Sequence, residues 1–394
     1  MKKGLMPLAL PCLLLALSLP ASADEIDDLK KRLSELEAKM EKSDAKNKRK
    51  LKALKEDIKE DKQALRISGF GTAGVTKSDS AFSTSDRDFT EEFNYGTDTK
   101  AGVQLDYKIG QHWSATVQLT GRANNQWDTN TEWAFIKYKH SDQLAFRAGR
   151  LRLPFYYYSE SLDVGFVYPW ARPPMPFYVT SISNYEGMDA NYRFSTGDIT
   201  HEASAFVGAT TGTLPNGLSI NLEDVWGGTY QVNWGGFGMR LFGMNADTDL
   251  NFGGAFGLNA VADRVGYYST AFFYNGENLF VLIEGNRSDT EMVIVRTSEA
   301  AHATAGYRWG IWTPFATYSY NNSLDDGDAK LLNGAILPPS RLDNTSLGLV
   351  LEASTQVNIK FQYDHLYNIG DGNSNFAGLK EGTDVYTINV NAIF

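Results

Sequence analysis

Cysteine is all but missing from the 394-residue chain: the single one, Cys12, lies in a leader-like stretch that is expected to be cut away. A mature chain without cysteine excludes a disulfide framework and thiol chemistry. Long apolar runs are missing too, because after the first two dozen residues no 18 consecutive apolar residues occur, and this excludes a bundle of membrane helices. Nor is there an excess of positive charge: 37 Lys+Arg stand against 47 Asp+Glu, for a net charge of −10. A nucleic-acid-binding domain normally shows a basic face, so no nucleic-acid partner is expected. What the chain has in quantity is 22 Phe, 20 Tyr, 8 Trp and 36 Gly, which suits short amphipathic strands and turns. Its mean hydropathy of −0.33 resembles that of a soluble protein, but membrane strands that alternate lipid-facing and water-facing residues also average to a polar value.

Lys2 and Lys3 precede an apolar stretch from Leu5 to Leu19, interrupted by Pro7 and Pro11, and Ala21-Ser22-Ala23 supplies small residues for cleavage. Residues 1–23 therefore read as a secretory signal peptide. From 24 to 64 the apolar residues Ile26, Leu29, Leu33, Leu36 and Met40 recur in alternating steps of three and four, a heptad seam with charged flanks. The seam passes through Ser43 and Asn47 and resumes in a shifted phase at Leu51, Leu54, Ile58 and Leu65, a stutter that locally unwinds a supercoil. As one helix it spans roughly 60 Å. The spacing predicts a self-associating coiled coil, with a solvated spacer helix as the alternative.

Near Leu65 the period changes to two. Ala101, Val103, Leu105, Tyr107 and Ile109 alternate with Lys100, Gln104, Asp106 and Lys108; after Gly110-Gln111, Trp113, Ala115, Val117 and Leu119 alternate with Ser114, Thr116, Gln118 and Thr120. One face of each strand is apolar and the other polar, as a sheet between lipid and water requires. Short turns at 110–111, 141–142, 196–198, 235–236, 275–276, 308–310 and 353–354 alternate with longer connections at 78–98, 122–130, 153–185, 210–221, 247–264, 288–299, 322–343 and 368–383. Seven turns and eight loops join sixteen strands over residues 65–394. The prediction is an all-β transmembrane barrel of sixteen antiparallel strands behind an α-helical coiled coil, with the turns periplasmic. In the last segment Tyr386, Ile388, Val390, Ala392 and Phe394 alternate with Thr387, Asn389 and Asn391. Tyr386 and Phe394 are read as the barrel-closing signal, since first and last strands must pair to remove their edges.

The leader, the coiled-coil stretch, Ile67-Ser68-Gly69-Phe70-Gly71, the sixteen-strand rhythm and the terminal aromatic strand together resemble the trimeric general porins of Gram-negative outer membranes, and more narrowly the DcaP-like porins with a periplasmic coiled coil. The resemblance spans the mature chain and rests on architecture. It implies a homotrimer of passive pores in the outer membrane, with a third loop folded inward as a constriction. The implied partners are outer-membrane lipids and lipopolysaccharide, the barrel-assembly machinery and peptidoglycan. The chain lacks the Pro-Glu-Phe-Gly-Gly sequence common in that loop.

A pore needs a polar wall and a narrow point where side chains decide what passes. The connection 153–185 carries Tyr156, Tyr157, Tyr158, Glu160, Asp163, Trp170 and Arg172, with prolines at 169, 173, 174 and 176. It is read as the constriction loop, with Glu160 and Asp163 facing wall arginines; a surface loop packed on itself or on a neighbouring subunit is the alternative. Alternation places Lys100, Lys108, Arg122, Lys137, Arg147, Arg193, Arg240, Arg308 and Lys360 on the inner face, against Asp106, Asp189, Glu202, Glu284 and Asp364. Acidic residues such as Asp79, Asp86, Asp88, Glu91 and Glu92 fall in loops, so a locally basic lumen that passes small anions at least as well as cations is expected. Arg150 and Arg152 would face lipid in a regular strand, and a bulge near Gly149 would turn them inward. Trp113, Tyr192, Trp226, Tyr230, Trp234, Tyr307, Trp309 and Trp312 are placed at the membrane interfaces.

No enzyme signature stands out, and no catalysis, cofactor or metal is expected. Gly69, Gly71 and Gly74 match a dinucleotide-binding spelling without the helix that must follow. The five histidines, His112, His140, His201, His302 and His365, lack metal-ligand spacing. Asp325, Asp326 and Asp328 suit calcium less well than a solvated loop. An outer-membrane barrel enzyme of the phospholipase or protease type remains an alternative, since distant residues can meet in space; a barrel that tethers the cell wall is another.

Overall fold

The computed structural model describes residues 31–42, 46–50, 64–84, 86–178, 182–213, 219–251, 260–290, 296–324, 340–370 and 376–394. The leader, the seam positions Ile26, Leu29, Ser43, Leu51, Leu54 and Ile58, and the Asp325, Asp326 and Asp328 cluster lie outside them. The chain divides into two units, 1–62 and 63–394. In the first, residues 31–42 and 46–50 are helical. Leu33, Leu36 and Met40 are all more than half exposed on it, so the single chain leaves this seam uncovered. Leu65, counted in the seam by its spacing, instead opens the first barrel strand.

The second unit is a closed barrel of sixteen antiparallel strands. They are Leu65–Ser78, Lys100–Ile109, Trp113–Arg122, Thr129–Lys139, Leu144–Arg152, Asn184–Thr196, Ile199–Thr213 and Ser219–Trp234 in the first half. Phe237–Asn251, Ala260–Asn275, Leu279–Thr290, Ser298–Tyr307, Trp312–Ser323, Arg341–Glu352, Val357–Tyr367 and Thr383–Ile393 complete it. Each strand pairs with its sequence neighbours, and the ring closes where Phe70 to Ser78 pair with Ile393 to Val385. Phe394 extends this seam: its N–H donates to the Gly69 carbonyl and its carbonyl accepts from the Gly69 N–H, both at 3.0 Å. The Phe394 ring lies over Gly69, where a Cβ would stand 2.2 Å from it.

The seven short turns fall where alternation breaks, and Gly110, Gly197, Gly235 and Gly310 take positive φ there. The strands run further than the apolar alternation suggests at the opposite end. Residues 210–213 and 247–251, expected in loops, are in strands, because the backbone ladder does not need apolar side chains once it rises past the lipid-facing band. Between the long connections, Phe82–Thr84, Asp88–Phe89 and Phe376–Ala377 form a three-stranded sheet. Its Phe82 and Phe89 stack at 4.3 Å over a cluster with Met175, Leu342, Leu366 and Val385.

Ile67, Leu105, Ile136, Met188, Leu241, Phe272, Ile283, Leu347 and Phe361 are exposed on the outer face, and the eight aromatics expected at the interfaces are exposed as well, from 38% for Tyr230 to 75% for Trp309. In a soluble protein such a band would cost roughly 25 cal/mol for each Å² of apolar surface left in water. Lipid removes that cost.

Candidate functional site: the lumen and its inward loop

The connection after Arg152 turns into the barrel and crosses it. Backbone groups buried this way must find partners, and wall side chains supply them from around the ring. Ser269 Oγ donates to the Phe155 carbonyl at 2.6 Å, Asn358 Nδ2 to Phe166 at 3.2 Å, Asn389 Nδ2 to Ala171 at 2.7 Å and Asn321 Nδ2 to Pro176 at 3.1 Å. Arg240 donates to the Pro154 carbonyl. Lys360 Nζ, fully buried, donates to the carbonyls of Gly165, Tyr168 and Trp170. Glu284 accepts from the Tyr157 N–H at 2.7 Å, the Tyr178 hydroxyl at 2.7 Å and His302 Nε2 at 3.0 Å. Trp170, fully buried, donates Nε1 to Thr317 at 2.9 Å and meets the rings of Tyr158, Tyr168, Tyr178 and His302.

Three anchors are ionic. Asp163 sits among Arg122 at 2.5 Å, Arg152 and Lys100 at 3.9 Å, and Glu132 bridges Arg122 at 2.8 Å and Arg152 at 2.7 Å. Arg147 holds Asp189 at 2.6 Å and Glu160 at 3.2 Å. Arg172, 1% exposed, pairs with Asp98 and donates to Thr76 and Thr387 at 3.1 Å. Burial alone would raise the Asp98 carboxyl, but Arg172, with help from Arg87 and the Thr76 hydroxyl, holds it below the ordinary carboxylate range.

The bulge expected near Gly149 is absent. Register runs unbroken from Lys139↔Ala145 to Ala134↔Arg150 and then stops. Gly149 has φ +135°, and a Cβ there would stand 2.2 Å from the Ala134 carbonyl. Past the last pair, Arg150 Nε donates to the Thr131 carbonyl at 2.7 Å in place of a ladder bond. Arg150 pairs with Glu186 and also lines the cavity toward the long connections, while Arg152 turns inward to Glu132 and Asp163. The register shift lies on the neighbouring pair of strands, where Gln118 faces Trp133 and Leu119 faces Thr131. Glu132 is the extra residue, and the shift delivers its carboxylate to the interior.

The remaining residues named for the wall fall into two settings. Lys360, Arg240, Glu284 and Asp364 are buried beneath the loop, as is Tyr156 within it; these hold the loop rather than line open space. Lys108, Lys137, Arg193, Arg308 and Asp106, with Arg66, remain accessible near the short turns. Among the described residues, Arg66, Lys108, Lys137 and Arg308 have no carboxylate within salt-bridge distance, whereas Arg193 pairs with Glu202 at 2.8 Å. Open space remains on both sides of the loop. A cavity of about 890 Å³ opens toward the long connections, lined by Arg87, Asp98, Lys100, Arg122, Arg152 and Asp163. Cavities of about 370 and 210 Å³ open toward the short turns.

Sequence reasoning missed Glu132, Asp98 and His302. Glu132 was hidden by the register shift, although the consecutive inward demand of Glu132 and Trp133 is a signal of one. Asp98 and His302 become visible only when the loop path is known. Gly69, Gly71 and Gly74 lie within the strand Leu65–Ser78.

A closed sixteen-stranded barrel, apolar outside and charged within, with one long connection laid through its lumen, has the architecture of a transmembrane β-barrel. No protein-family model matches the sequence, and no curated protein matches it. Among solved structures the chain is similar to the outer membrane channel DcaP of Acinetobacter baumannii, at 10% identity and TM-score 0.58 over 84% of this chain and 97% of that one. It is similar to the anion-selective porin of Comamonas acidovorans, at 14% identity and TM-score 0.56 over 84% and 99%. It also resembles the trimer form of OmpT, an outer membrane protein of Vibrio cholerae, at 11% identity and TM-score 0.52 over 84% and 100%. At these identities the likeness concerns the fold.

Proposed function

We propose that this chain is an outer-membrane porin: a water-filled, passive channel for small hydrophilic solutes, without catalysis or cofactor, whose loop 153–183 forms the constriction. The observation that carries the reading is the two-faced wall, with exposed Trp and Tyr around an apolar band outside and a charged lumen with cavities on both sides of the loop inside. A wall of sixteen strands is wide enough for an aqueous lumen, where small enzymatic barrels are filled by side chains.

The lumen is proposed to favour anions. Supporting this are Arg66, Lys108, Lys137 and Arg308 near the short turns, which make no ion pair among the described residues; Glu352 lines the same cavity as Arg308. Glu160 and Asp163 set the narrowest passage by pairing with Arg147 and with Arg122 and Arg152. The mature protein is read as a homotrimer: the uncovered Leu33, Leu36 and Met40 support self-association through the helix, and the trimer form of a structural neighbour agrees. The helix would then lie in the periplasm, within reach of peptidoglycan, and the barrel would contact lipopolysaccharide after insertion by the assembly machinery. Conductance in planar bilayers tests the channel, and the reversal potential in a salt gradient tests its sign. A clear cation preference refutes the anion reading, and a barrel that does not conduct refutes the porin reading.

A further inference from the structure

The 210 Å³ cavity at the short-turn side has aromatic walls. The loop contributes Tyr157 and Tyr158, whose rings meet edge to face at 4.9 Å. The barrel contributes Phe273, 4.7 Å from Tyr157, and Phe280. All four rings are half-buried, so part of each remains open to the lumen. Beside them the Arg308 guanidinium stands 5.3 Å from the Phe280 ring, held by the Gly276 carbonyl at 2.8 Å and Asn275 Oδ1 at 2.6 Å. The exposed Glu352 carboxylate lines the same space.

The rings pack on one another yet each keeps part of its surface exposed, next to one fixed cation and one carboxylate. A singly charged solute would gain from one of these charges and be repelled by the other, and an apolar one would strip water from both. A neutral ring with hydroxyl groups suits every wall: its C–H face lies on an aromatic ring, and its hydroxyls donate to the carboxylate and accept from the guanidinium. The volume equals about seven water molecules at ~30 Å³ each, enough for one six-membered sugar ring. We propose that this cavity is a subsite for a pyranose sugar, through which neutral carbohydrate pauses on its way past the loop. The inference rests on the porin reading and specifies a solute class for it.

The test uses the full-length protein in planar bilayers with D-glucose as probe, and with mannitol, an open-chain polyol, and benzoate, an aromatic anion, as comparisons. Saturable glucose-induced blocking of the ion current is expected, without it for mannitol or benzoate at equal concentration. Phe280→Ala and Glu352→Gln should each raise the half-blocking glucose concentration, by about fivefold for the ring, with heat-modifiable migration on gels verifying that each variant folds. A conducting channel in which glucose and mannitol act alike, in which benzoate alone blocks, or in which both variants behave as the parent overturns the subsite. A barrel that does not conduct refutes the porin reading instead, and the subsite is then decided by saturation-transfer NMR with glucose on the detergent-solubilised protein, where absence of transfer overturns it.

Discussion

Replacing Lys360 by methionine should free the constriction loop while sparing the barrel. The side chain reaches from the strand Val357–Tyr367 to three loop carbonyls, those of Gly165, Tyr168 and Trp170, and is fully buried. Methionine keeps most of the volume and removes every donor. Leaving a buried acceptor unpaired costs about 1–3 kcal/mol, so losing two of the three bonds without compensation costs about 2–6 kcal/mol, a factor of roughly 30–10⁴ in the local opening equilibrium. The wall at this point is held independently, because Lys360 pairs through its backbone with Val350 and Asn389. Hydrogen exchange read by mass spectrometry should therefore quicken at least about thirtyfold in peptides covering 162–171, with the strand 357–367 unchanged. Single-channel current should rise and become noisier. Unaltered exchange and current would refute the claim that this side chain holds the loop; equal acceleration throughout the barrel would show that it stabilises the wall instead.

Glu132→Gln leaves Arg122 and Arg152 sharing Asp163 alone, so the reversal potential in a potassium chloride gradient should move toward anion selectivity; movement toward cations contradicts the ion-pair assignment. The Asp98 carboxyl, lowered by Arg172, contributes stability above its unfolded pKa of about 3.9 and loses it as pH falls through the lower folded value. Conductance should therefore hold steady from pH 8 to 5 at the Asp98–Arg172 contact and change only below about pH 4, and Asp98→Asn should abolish that acid step. Gly149→Val places a branched side chain at φ +135° against the Ala134 carbonyl, and the yield of heat-modifiable barrel should drop sharply on gels. Deleting Phe394 removes two backbone bonds to Gly69 and the ring that covers it; refolding into detergent should slow, and an unchanged rate would deny the residue a part in closure.

Strands and short turns were legible in the sequence because lipid on one side and water on the other impose a period of two, and a turn interrupts it. Lys100, Arg122 and Arg147 could be placed inside for the same reason. The division of labour among the inner residues was not legible. Lys360 and Lys108 look alike in an alternating strand, yet one lies buried beneath the loop and the other is exposed, and only the path of residues 153–178 separates them. Glu132 escaped because a single extra residue moves a side chain from one face to the other, and alternation read strand by strand has no way to register it. The upper ends of the strands near 213 and 251 escaped because ladder bonds are blind to side-chain polarity.

The accessible bases Arg66, Lys108, Lys137 and Arg308 stand near the short turns, while Asp79, Asp86, Asp88, Glu91 and Glu92 occupy a long connection at the opposite mouth. Asp142, Asp198, Glu277 and Glu352 offset the bases at the short turns, so the excess of fixed charge lies at the acidic mouth and makes the conduit electrically polar, like a junction between unequally doped media. Below about 0.1 M salt the Debye length exceeds ~10 Å, and the acidic mouth then gathers cations. The current–voltage curve should be asymmetric at low ionic strength and straighten in 1 M salt, so the direction of rectification reports which way round each channel has inserted.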